Sequence, residues 1–83
     1  TPRRRITGPD DLVIGRHGVM VQIGGARGLL LPQVASELGW NAVTLLEQTC
    51  RKAGLDRDAW RRPDAVLEAF EADVFGERAV QVT

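Results

Sequence analysis

Apolar and polar residues alternate from Leu12 to Ile23, with Val13, His17, Val19, Val21 and Ile23 on one face and Arg16, Met20 and Gln22 on the other. A period of two belongs to an extended strand, because successive side chains leave opposite sides of the pleat. Gly24-Gly25 follows, and two residues free to take positive φ suit a tight hairpin turn. Leu29-Leu30-Leu31 then reads as a second short strand, stopped by Pro32. A two-residue turn sets Val21 opposite Gly28 and Val19 opposite Leu30, which keeps the apolar face continuous. A longer loop through Ala26 and Arg27 shifts that register.

Beyond Trp40 the period changes. Val43, Leu46, Cys50 and Ala53 are spaced by three, four and three residues and make one helical stripe. Asn41 suits the N-cap, with Trp40 and Leu45 placed for a hydrophobic staple, and Arg51 and Lys52 suit the negative end of the helix dipole. Gly54 offers a left-handed residue after the helix, and Leu55 is placed to pack back near Cys50. These signals predict a helix from Ala42 to Ala53. Val34 to Leu38 has the length of one helical turn ending at Gly39, and Asp56 is placed to cap a short turn through Trp60 that Pro63-Asp64 ends. The segment Ala65 to Phe75 is ambiguous by pattern. Its Ala, Leu and Glu favour helix and Val66, Phe70 and Val74 recur every four residues, yet even separations put the same three on one face of a strand.

Composition narrows the class. With 83 residues, 43% hydrophobic and 27% charged, the chain is one globular unit at most. A chain of this size withdraws only roughly 60 to 65% of its unfolded surface from water, so a lone core is marginal. Eleven basic and eleven acidic side chains cancel and the pI is near 6.5, which argues against a dedicated nucleic-acid or anionic-lipid binder. Arg3-Arg4-Arg5 is not followed by an apolar run, and no stretch approaches the roughly 20 apolar residues of a membrane span. A cytoplasmic location is the default expectation. The single cysteine, Cys50, excludes an internal disulfide and fits a reducing compartment.

The candidate chemistry is sparse. His17 is the only histidine, and its parity places it on the apolar face of the first strand, near where Pro32 and Gln33 leave the second. A histidine there can bind a ligand or move a proton, although a sheet-edge histidine with a satisfied nitrogen is the more common arrangement. Gln33 and Glu37 are the polar groups expected nearest to it, with loop hydrogen bonding and helix capping as their ordinary roles. Cys50 lies on the buried stripe in the last turn of its helix, which points to packing rather than nucleophilic chemistry. One histidine and one cysteine fall short of a zinc site, and Gly24-Gly25-Ala26-Arg27-Gly28 lacks the Lys-Ser/Thr ending of a phosphate loop. Trp60 beside Arg57, Arg61 and Arg62 reads as a half-buried tryptophan among solvated arginines. No complete catalytic site and no cofactor site can be assembled from these residues.

In this order, several runs resemble the AMMECR family. They are Gly15-Arg16-His17-Gly18, Arg27 through Ala35 (Arg-Gly-Leu-Leu-Leu-Pro-Gln-Val-Ala), Glu37-Leu38-Gly39-Trp40, Cys50 through Leu55, Asp58-Ala59-Trp60, and Phe70 through Glu77. The resemblance implies an α+β domain of two subdomains with a cleft between them as the functional site, and a biochemical activity that is not settled. The bacterial type resembles protein A of the AmmeMemoRadiSam set, which implies Memo-like and radical-SAM protein partners.

Nothing in the chain matches the family's Leu-Arg-Gly-Cys-Ile-Gly signature, which belongs to an N-terminal portion, and residues 1–6 look like the end of a family strand. The resemblance therefore implies residues 1–11 as strand end and loop, 12–77 as the C-terminal portion of the domain and 78–83 as a tail. It favours a strand for the ambiguous final segment. The fold expected is α+β, an antiparallel hairpin with one main helix and a C-terminal strand. The function expected is an accessory or interaction module whose nearest partner is the missing N-terminal portion of the same domain, with self-association through open strand edges as a further possibility. The alternative is an enzyme whose cleft is completed by that portion. His17, Gln33 and Glu37 are the candidate cleft residues, for binding rather than catalysis.

Overall fold

Gly15 takes φ 88° and turns the chain where the alternation alone suggested a continuous strand. The N–H groups of Arg16 and His17 both donate to the Val13 carbonyl at 3.0 Å, so β2 begins at His17 and runs His17–Ile23, five residues later than the pattern implied. Val13, expected on the apolar face, is 53% exposed as a result. The hairpin itself follows the sequence. Gly24 at φ 57° takes the first turn position, and Ile23 faces Ala26, Val21 faces Gly28 and Val19 faces Leu30.

In this computed structural model, which describes residues 3–71, β1 (Arg4–Ile6), β2, β3 (Ala26–Leu30) and β4 (Val66–Glu71) form one antiparallel sheet in the order β1-β4-β2-β3. Two helices, α1 (Pro32–Leu38) and α2 (Ala42–Lys52), complete an α+β fold, with 3-10 turns at Pro9–Asp11 and Ala59–Arg61. β3 starts at Ala26 and ends at Leu30, so Leu31 is not part of the strand; it precedes the first turn of α1. Pro32 both ends the strand and opens the helix, since its fixed φ and missing N–H cost nothing in a first turn. That makes α1 two residues longer than the turn expected from Val34. It ends, as expected, at Gly39, with φ 71°.

Residues 66–71 are strand despite their helical composition because β4 lies inside the sheet. It pairs with β2 from His17↔Glu71 to Gln22↔Val66 and with β1 from Arg4↔Ala69 to Ile6↔Leu67. Backbone pairing on both sides outweighs a propensity difference of a few tenths of a kcal/mol per residue. The face that meets the core carries Leu67 and Ala69, while Val66 and Phe70 point the other way and are half-buried. Val74 and the rest of the expected segment through Phe75 lie outside the described residues.

The core lies between the sheet and α2. Val19, Val21, Leu67, Ala69 and Ile6 on the sheet meet Leu45, Leu46 and Cys50 on the helix. The buried helical stripe is rotated from the expected one: Leu45 and Thr49 are fully buried, whereas Val43 and Ala53 are only partly so. Thr49 is tolerated there because its hydroxyl donates to the Leu45 carbonyl at 2.7 Å. α2 also approaches β3 closely. A Cβ on Gly28 would stand 2.6 Å from the Thr49 carbonyl oxygen and 2.8 Å from the Ala53 nitrogen, so the glycine is what lets the helix down onto the strand.

Both caps of α2 form as the sequence indicates. Asn41 Oδ1 accepts the Thr44 N–H at 2.8 Å. At the other end Gly54 takes φ 82°, its N–H donates to Arg51 and the Leu55 N–H donates to the Cys50 carbonyl at 2.9 Å, a Schellman arrangement. The following 3-10 turn starts after Asp58 rather than Asp56, and Asp56 contributes its backbone carbonyl to the Ala59 N–H at 3.0 Å. Among the described residues no helix is long and apolar enough to cross a membrane.

Candidate functional site

His17 stands at the first position of β2, 8% exposed, with the Val13–Arg16 turn folded against it. Its Nδ1 accepts the Val13 backbone N–H at 2.9 Å. An amide N–H can only donate, so Nδ1 holds a lone pair and the proton of the neutral ring sits on Nε2. Nε2 lies 3.6 Å from Glu71 Oε2, and the same oxygen takes the Arg16 Nε–H at 3.2 Å. His17 is thus bound to its own chain at one nitrogen and turned toward a carboxylate at the other.

Glu71 was not readable as part of this group. It arrives because β4 pairs with β2 in the register that sets Glu71 directly opposite His17. A sequence reading could have found it only by fixing β4 as the neighbour of β2, 54 positions away in the chain.

Gln33 and Glu37 project from the exposed side of α1. Gly15 packs toward Ser36, with 3.7 Å between the Ser36 Cβ and the place a Gly15 Cβ would occupy, so the turn that holds His17 rests on the helix that carries both residues. The link between the His17 turn and α1 is this Gly15–Ser36 contact. Among the described residues, however, no hydrogen bond or ion pair joins the Gln33 or Glu37 side chain to His17. The polar partners of His17 are Val13, and Glu71 shared with Arg16.

Cys50 is fully buried. Burial pushes its thiol above the ordinary value of 9.0, offset in part by the Trp60 backbone N–H and reinforced by the nearby charges of Asp58 and Glu47. A thiol held protonated in an apolar interior is a packing group, as the helical stripe suggested.

Among the described residues an open hollow lies elsewhere. About 550 Å³ lies beside the end of α2, lined by Arg51, Leu55, Asp56, Arg57 and Asp58. A neighbouring hollow of about 400 Å³ reaches Arg61 and Arg62. Arg61 lies over the Trp60 ring at 4.8 Å, and Trp60 Nε1 is buried without a partner among the described residues. Also among the described residues, no group of three or more His, Cys, Asp or Glu side chains is arranged to hold a metal ion.

The AMMECR1 family model matches residues 1–75. A protein of Aquifex aeolicus is 43% identical over 70 residues, 84% of this chain and 36% of its own length. A protein of Methanopyrus kandleri is 48% identical over 68 residues, 82% of this chain and 33% of its own. Among solved structures, that of an uncharacterized protein from Pyrococcus horikoshii superposes with a TM-score of 0.81 at 41% identity, covering 86% of this chain and 37% of that one. The chain spans about a third of the length of the relatives it matches.

Proposed function

The chain belongs to the AMMECR1 family, and on that footing we propose that it acts as an interaction module within a larger AMMECR1-type domain, not as a free-standing catalyst. The observation that carries this reading is the Val13 N–H bound to His17 Nδ1 at 2.9 Å. It commits the lone pair of the only histidine to holding a turn. A turn braced in this way presents α1 as a fixed surface, with Gln33 and Glu37 as polar contacts on it.

The alternative, an enzyme whose cleft is completed by the remainder of the domain, would gain support from a free base or nucleophile in this chain. His17 and Cys50 are the residues best suited to those roles, and both are held in internal contacts. The module serves Memo-like and radical-SAM partners in the cytoplasm in this proposal; support for that part is the resemblance of the motif runs alone.

Sizing and urea denaturation of the 83-residue chain test the reading, alone and with the unmatched portion of the Aquifex aeolicus relative added in trans. Complex formation with a raised unfolding midpoint supports it, because anything that binds only the folded state stabilises that state. A cooperative monomer indifferent to the added portion contradicts it.

A further inference from the structure

We draw no further inference here: the strongest candidate, the sheet face opposite α2, where the Phe70 ring lies against Gly18 beside Met20 and Leu29, carries nothing, because nothing among the described residues shows what covers it.

Discussion

His17 and Val13 close a short loop on themselves: the ring nitrogen of one accepts the backbone N–H of the other at 2.9 Å, across the turn that Gly15 makes. This bond fixes where β2 begins and which tautomer the imidazole holds. Replacing His17 with Phe keeps the ring but leaves the Val13 N–H unpaired in a part-buried site, at an expected cost of about 1–3 kcal/mol. His17→Asn places an amide oxygen near the position of Nδ1 and is expected to cost less. Urea unfolding of the two variants checks this; equal losses would mean that the bond contributes nothing beyond packing.

Gly28 carries a second expectation. An added methyl meets the backbone of α2 at Thr49 and Ala53, and backbone cannot step aside as a side chain can. Gly28→Ala should destabilise by about 1–3 kcal/mol or more through overpacking. Gly25→Ala, where a Cβ meets nothing within 4 Å, should stay within about 0.5 kcal/mol of wild type. Unfolding midpoints for the pair decide it, and a tolerant Gly28 would contradict the close approach of helix and strand.

Removing the cap of α2 isolates the contribution of one hydrogen bond. Asn41→Ala loses the acceptor for the Thr44 N–H and should cost about 1 kcal/mol, whereas Asn41→Asp or Asn41→Ser should retain most of the stability. Thermal melts of the three proteins give the comparison, and an alanine variant as stable as the serine one would show that the cap is not used.

Cys50 gives a pH dependence with a definite sign. Its thiol is pushed above the ordinary value by burial, so the folded chain holds that proton more tightly than the unfolded one. The contribution is intact below the ordinary thiol value of 9.0 and is lost as pH rises through the folded value. Wild-type stability should therefore fall above that value more steeply than that of Cys50→Ala, which starts lower because of the cavity it leaves. Parallel pH profiles for the two proteins would remove the thiol from the account.

Local signals read well in this chain. The two-residue turn at Gly24-Gly25 set the register of Val19 and Val21 correctly, and Asn41 and Gly54 marked α2 because capping depends on a handful of adjacent atoms. What failed depended on distant partners. Alternation from Leu12 onward could not show that Gly15 breaks the strand, and the spacing of Val43 and Leu46 missed that Gly28 draws the helix down on its Leu45 and Thr49 side. The final strand was undecidable by period, since its buried position between β1 and β2 is a property of the sheet; the family resemblance, not the pattern, pointed the right way. At the candidate site, no hydrogen bond or ion pair among the described residues joins Gln33 or Glu37 to His17, and Glu71, the carboxylate that His17 faces, comes into reach only through the β2–β4 register.

The central claim is that this unit works through an outward surface of α1. Amide chemical shifts of the nitrogen-15-labelled chain, followed while the unmatched portion of the Aquifex aeolicus relative is titrated in, test it most directly. The account predicts that the largest changes fall on residues 31–38 and fade toward the charged cleft beyond α2. Changes confined to residues 51–62, with α1 undisturbed, would contradict it.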